Sequence, residues 1–211
     1  MRCLYDMPFR RIYNDIRWNN YEQGSNYLPN TKNWIIEKDT LANRFKKIKD
    51  KKYQHEIFIN LASKNNLEYN ELEIISWLDS LKILGKVSML IEQEYMEDLK
   101  IISELMIPFT SKRPDYVLCL NNHLLIIEFS YANVEDEEYR YKTKLSQVIQ
   151  YKNLLDNILN DVKISTYTFI IKPDEQDKNI NDNDIKNLAN FINFFFKNAI
   201  NQDAYSQLNK L

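Results

Sequence analysis

Asp115 and Glu128, followed by lysines at 142 and 144, are the residues of this chain whose types and spacing suit chemistry on an anionic substrate. They lie in residues 113–151, RPDYVLCLNNHLLIIEFSYANVEDEEYRYKTKLSQVIQY. Asp115 opens one strand-like run and Glu128 closes the next, thirteen positions later. Asn121 and Asn122 between the runs tolerate the positive φ of a tight hairpin turn, which would return both acids to one end of a sheet. Two carboxylates held that close resist joint ionisation unless a cation sits between them. A hard divalent metal meets that need. Pro114 fixes its own φ and biases Arg113 to an extended backbone, so that Asp115 enters from a rigid point. The same dipeptide recurs at Pro173-Asp174, where no acid answers to Glu128, and there it reads as a turn into a solvated loop.

Taken singly, these residues have ordinary structural readings. An aspartate after proline is commonly a turn or cap residue. His55 would usually be a hydrogen-bonded, half-buried histidine, His123 beside the hairpin reads as a surface residue, and Glu138–Lys142 is an i,i+4 pair on a solvated face. Glu128 resists this treatment, because an acid that directly follows HLLII in a buried strand needs a partner or a metal. The argument for chemistry is therefore the conjunction of residues.

The elements that must position them follow from periodicity. Residues 1–37 are aromatic, polar and irregular, with Trp18 and Trp34 as expected anchors. From Thr40, Leu41, Phe45, Ile48, Ile57 and Leu61 recur at helical spacing. NELEIISWLDSLKILG predicts a helix capped by Asn70 and stopped by Gly85, and KVSMLIEQEYMEDLKIISELMIP a second ended by Pro108. The hairpin DYVLCL/HLLIIEFSY comes next. A helix with Leu145, Val148, Ile149, Leu155 and Ile158 inward then leads to a third strand, VKISTYTFIIK, and this crossover implies parallel pairing. A last helix buries Ile185, Leu188, Ile192, Phe195 and Ala199 and presents Phe191 and Phe194 on its other side, as at an interface. The expected architecture is a single α/β domain with a small mixed β-sheet flanked by helices: a mostly helical N-terminal lobe over 1–107, the sheet and helix carrying the site over 108–180, and a C-terminal helix over 181–211.

Composition narrows the classes. With 44% hydrophobic and 13% aromatic content, 211 residues suffice for one packed domain. A net charge of −2 argues against a chain built mainly to coat nucleic acid. Cys3 and Cys119 are too isolated for a disulfide framework or a thiolate metal site. No apolar run spans a bilayer and MRCLYDMPFRR lacks a signal-peptide core, so an intracellular domain without a membrane partner is expected.

Acid after proline, hairpin, acid, one residue, then a polar residue: this order resembles the PD-(D/E)xK nuclease superfamily. Its third residue is normally lysine, whereas Glu128-Phe129-Ser130 places serine there and leaves Lys142 and Lys144 on the next helix. Lys142, sharing a face with Leu145 and Ile149, is the one expected to turn back toward the sheet edge. A lysine moved to the following helix, with a histidine on an earlier one, is similar to the endonuclease domains at the start of segmented negative-strand RNA virus polymerases, which cleave capped host RNA. The intervals His55–Glu73, Asp115–Glu128 and Glu128–Lys142 look like those of the hantavirus-like branch, over roughly residues 50–172.

The resemblance implies one or two Mn²⁺ or Mg²⁺ ions held by His55, Asp115, Glu128, the backbone carbonyl of Phe129 and an upstream acid. That acid is Glu73 by interval, or Glu71 by its helix face with Ile74, Ile75 and Leu78. An imidazole among oxygens shifts preference toward Mn²⁺. It further implies metal-assisted phosphodiester hydrolysis of single-stranded RNA, as capped mRNA, with Lys142 and its neighbour Lys144 supplying positive charge to the transition state. The remainder of a viral RNA polymerase would be the partner and the host cytoplasm the location. Gln147 and Tyr151, in Gln-x-x-x-Tyr spacing, give a rival similarity to RecB-type prokaryotic nucleases acting on DNA. Loss of the in-line lysine also suits a catalytically inactive relic that only binds nucleic acid or protein.

Overall fold

The computed structural model describes residues 1–10, 59–132, 135–172, 182–200 and 203–211. Among these, the elements run β1 (Tyr5–Pro8), α1 (Glu71–Ser88), α2 (Gln93–Met96), β2 (Lys100–Ser103), β3 (Tyr116–Leu120), β4 (His123–Tyr131), α3 (Glu137–Asp156), β5 (Lys163–Ile171), α4 (Asp182–Phe196) and α5 (Ala204–Asn209). One helical stretch at 59–64 precedes α1. The strands form one mixed sheet in the order β1-β2-β3-β4-β5. β1 to β4 pair antiparallel, and β5 lies parallel to β4. That parallel pair needs a crossover, which α3 makes.

Alternation along the strands divides the core in two. Tyr116, Leu118, Leu125, Ile127 and Phe129 pack on one face with Leu81, Leu84 and Val87 of α1 and Leu188 and Ile192 of α4. Val117, Cys119, Leu124 and Ile126 pack on the other with Val148, Tyr151 and Leu155 of α3 and Ala204 and Leu208 of α5. Period 2 then assigns Asp115 and Glu128 to the face covered by α3. Asn121 has φ 51°, as the tight turn requires. Cys3 and Cys119 are buried and free, and no described helix is long and apolar enough to cross a membrane.

Several expectations are corrected. KVSMLIEQEYMEDLKIISELMIP is not one helix ended by Pro108: α1 ends at Ser88, α2 covers only Gln93–Met96 and Lys100–Ser103 is a strand, paired with a second N-terminal strand at Tyr5–Pro8. Ile101 and Ile102 are both fully buried, on opposite faces of β2, and so short an apolar run does not distinguish strand from helix by its period. Gly85 does not stop α1, which continues to Ser88. The fully buried Ile83, Leu84 and Val87 around it outweigh the roughly 1 kcal/mol that a glycine costs inside a helix. On α3 the buried set is Val148, Tyr151 and Leu155, while Ile149 is exposed, as is Ile158 just past the helix. His123 is buried rather than superficial, its ring 4.9 Å from that of Phe195. Phe194 is exposed as expected, but Phe191 packs against Tyr167 at 5.3 Å. Trp18, Trp34, the helix expected over 40–58 with its His55, and the Pro173-Asp174 loop lie outside the described residues.

Asn70 caps α1 through a complete capping box: its side chain accepts from Glu73 N at 3.1 Å, and the Glu73 carboxylate accepts from Asn70 N at 2.7 Å. Asn70→Ala removes one half of this and is expected to cost about 1 kcal/mol by urea denaturation. An unchanged midpoint would mean that the cap contributes nothing.

Candidate active site

The register of the hairpin brings the two acids together. Tyr116 pairs with Ile127, and one further step along the ladder sets Asp115 opposite Glu128. The contact is reciprocal: Asp115 N donates to Glu128 Oε1 at 2.8 Å, and Phe129 N donates to Asp115 Oδ2 at 2.7 Å. A slip of one residue would send one acid to the other face.

Because α3 covers that face, its side chains reach the pair, and the one that does so is Lys144. Its Nζ donates to Glu128 Oε2 at 2.7 Å. Lys142, the lysine expected there, instead pairs with Glu138 at 2.6 Å with its side chain 70% exposed, against 24% for Lys144. The reason is angular. The buried stripe of α3 runs through Val148, Tyr151 and Leu155, and Lys144 stands one turn before Val148, whereas Lys142 is turned some 160° around the helix from Lys144 at about 100° per residue.

The site opens into a cleft of about 630 Å³. Its walls carry the acids Glu73, Glu104, Asp115 and Asp136 and the cations Lys112, Arg113, Arg140 and Lys144; Arg140 pairs with Asp136 at 3.3 Å. Glu128 is fully buried beside it and meets the cleft through Lys144 and Asp115. Ser130, Gln147 and Tyr151 line the same space, and Gln147 donates to the Tyr151 hydroxyl.

Two of the residues here, Glu104 and Arg113, carry no recognisable signal in the sequence. Glu104, with φ 52°, turns the chain out of β2, and its N–H donates to Asp115 O at 3.0 Å. Its buried carboxylate accepts from Trp77 Nε1 at 2.8 Å and lies 3.3 Å from Arg113 Nε. Arg113 also holds Glu73 at 2.7 Å. In the sequence Glu104 is hidden inside an apolar run whose period suits a helix, and Arg113 shows only as the residue that Pro114 constrains. Glu73, one of the two candidate upstream acids, therefore lines the cleft, although Arg113 and the helix cap engage it. The side chain of Glu71 lies outside the described residues.

The electrostatics mark crowding of negative charge. Burial, then the charge of Asp115, pushes the Glu128 carboxyl up to about 8. Both Glu128 oxygens accept hydrogen bonds, which favours the anion, but burial and the Asp115 charge outweigh them. Glu104 is pushed up to about 8 by the same two causes. Asp115 is raised by burial, against the pull of Lys144 and the Phe129 N–H. Burial works against the Lys144 ammonium, yet Asp115 and Glu128 together raise it. Burial, then the charge of Glu128, pushes the Tyr151 phenol up to about 12.

These carboxylates are hard oxygen donors of the kind Mn²⁺ and Mg²⁺ take, and a divalent cation would relieve their mutual repulsion. Among the described residues no three His, Cys, Asp or Glu side chains form a ready metal-holding group. Asp115 and Glu128 are a pair to which further ligands must be added. No family model matches the chain, and no curated protein or solved structure matches it significantly.

Proposed function

We propose that this cleft is the hydrolytic site of a divalent-metal-dependent nuclease of the PD-(D/E)xK type. The observation that carries the reading is the ammonium of Lys144 on Glu128, with Asp115 opposite in the hairpin. The site thereby has two acids and one lysine, the lysine reaching from α3 the place that Ser130 cannot fill. That arrangement weighs against the relic reading, in which a missing lysine would have no substitute.

Asp115 and Glu128, with the Phe129 carbonyl, would hold Mn²⁺ or Mg²⁺. Such an ion, when bound, acidifies an attacking water and offsets the charge that builds up at phosphorus. Lys144 donates to a non-bridging phosphate oxygen as water's oxygen bonds to phosphorus and the bond to the leaving oxygen breaks, so its charge acts most strongly where negative charge accumulates. Lys112, whose ammonium is held by the neutral Gln150, is the wall cation best placed to attract the phosphodiester backbone, while Arg113 and Arg140 are shared with Glu73, Glu104 and Asp136. Gln147 and Tyr151 border the scissile position.

Two substrate readings meet at this site. The intervals from His55 to Lys142 resemble those of the cap-snatching endonucleases and point to single-stranded RNA, with a viral polymerase as partner. The position of Lys144, together with Gln147 and Tyr151 in one cleft, favours the RecB-like reading and DNA, because Lys142 takes no part. Incubating labelled single-stranded RNA and DNA with Mn²⁺ separates them. Preferential cutting of DNA, absent in Asp115→Ala, is expected. Preferential cutting of RNA would restore the cap-snatching reading, and no cutting of either would leave a binder.

A further inference from the structure

We infer that Phe109 is a stacking platform for an unpaired base of a single-stranded polynucleotide entering the cleft. The inference rests on the nuclease reading of the same site and adds how its substrate is held.

Ile107 to Thr110 form a tight turn. Thr110 N donates to Ile107 O at 3.2 Å, Pro108 occupies the second position, and Phe109 in the third has φ 61°. These are the marks of a type II turn, whose third position ordinarily takes glycine or asparagine. A bulky aromatic there is a backbone outlier. The turn is nevertheless firmly held: Ile107 N donates to Lys112 O at 3.1 Å, Thr110 Oγ1 donates to Ile107 O at 2.9 Å, and Lys112 N donates to Thr110 Oγ1 at 3.1 Å. Lys112 Nζ fastens the segment to α3 through Gln150 Oε1 at 2.8 Å.

All of this fixed geometry presents a ring that touches nothing, since Phe109 is fully exposed. Folding gains nothing from either the exposed ring or the left-handed backbone. Strain kept at a rigid, solvent-facing position points to use in binding. The cleft begins two residues on, at Ser111, Lys112 and Arg113. A flat apolar ring beside a cationic edge, here Lys112 and Arg113, is the combination that holds single strands, with bases stacking on the ring while cations meet the phosphates. Duplex substrates, whose bases are already stacked, would not engage it.

The test measures binding of fluorescein-labelled oligo(dT) and oligo(U) in EDTA, where no cutting occurs, using the wild type, Phe109→Asn and Phe109→Trp. Phe109→Asn is expected to bind about tenfold more weakly or worse, while melting at the same or a higher temperature because asparagine suits the turn. Phe109→Trp should bind as the wild type does. An abasic oligonucleotide should bind equally to the wild type and Phe109→Asn. Equal affinity of both proteins for the normal oligonucleotides, no binding by the wild type, or weaker binding that accompanies a lower melting temperature would each overturn the inference. Cleavage with Mn²⁺ in the same preparations tells the two ideas apart. Phe109-dependent binding without cutting removes the nuclease and keeps the platform; cutting with binding indifferent to Phe109→Asn removes the platform and keeps the nuclease.

Discussion

Lys144→Ala is expected to lower single-turnover cleavage by about 10²–10³-fold, the usual cost of removing one positioned charge from a transition state. Lys142→Ala should leave it within about twofold, as expected of a solvated i,i+4 pair whose loss costs only tenths of a kcal/mol. The contrast follows from position: one ammonium lies on Glu128 and the other on Glu138 at the surface. Mn²⁺ binding should survive Lys144→Ala, because the lysine is no ligand. A second variant guards against a merely structural effect. In Lys144→Ala, adding Ser130→Lys places an ammonium two residues after Glu128, and part of the lost rate should return. Equal rates for Lys142→Ala and Lys144→Ala would remove Lys144 from the chemistry.

In EDTA the protein is expected to lose stability as pH rises from about 4 to about 8, the reverse of a fold held by ionised acids. Glu128 and Glu104 are both pushed up to about 8, by burial first and the charge of Asp115 second. In the unfolded chain each would ionise near ~4.3. Between those values the folded state binds more protons than the unfolded state, so the slope of unfolding free energy with pH is negative. The contribution is fully present below the unfolded pKa and gone above the folded one. Lys144, whose pKa is raised, titrates above this window and does not offset the slope. Mn²⁺ favours the ionised carboxylates, so its stabilisation should grow with pH. Melting curves at about pH 5.5, 7 and 8.5, in EDTA and in Mn²⁺, check both halves of the expectation. Asp115→Asn removes the repelling charge and should flatten the EDTA slope. A melting temperature that climbs with pH in EDTA would contradict the crowding of the carboxylates.

The sequence was most legible where local rules act alone. Asn121-Asn122 demanded a tight turn, the turn fixed the register, and the register set Asp115 against Glu128. The α3–β5 crossover followed from the change of period, and Asn70 from capping chemistry. Legibility failed where tertiary packing decides. Ile101 and Ile102 suit a helix face or the two sides of a strand equally well, so the sequence does not distinguish β2 from a helix, and Glu104, at its end, carries no signal of its own. The choice between Lys142 and Lys144 depended on which stripe of α3 meets the sheet. Tyr151, part of that stripe, shows in the sequence only through its spacing from Gln147, while Ile149, inward by hydrophobicity alone, lies outside. Arg113 could not be assigned because its partners, Glu73 and Glu104, are distant in sequence and meet only through the fold.

The most direct measurement is a calorimetric titration of Mn²⁺ into the metal-free protein at neutral pH, wild type beside Asp115→Asn. Saturable binding by the wild type, with protons released as the crowded carboxyls ionise, and its loss in Asp115→Asn is the result expected. Identical titrations of the two proteins, or no binding by the wild type, would contradict the account.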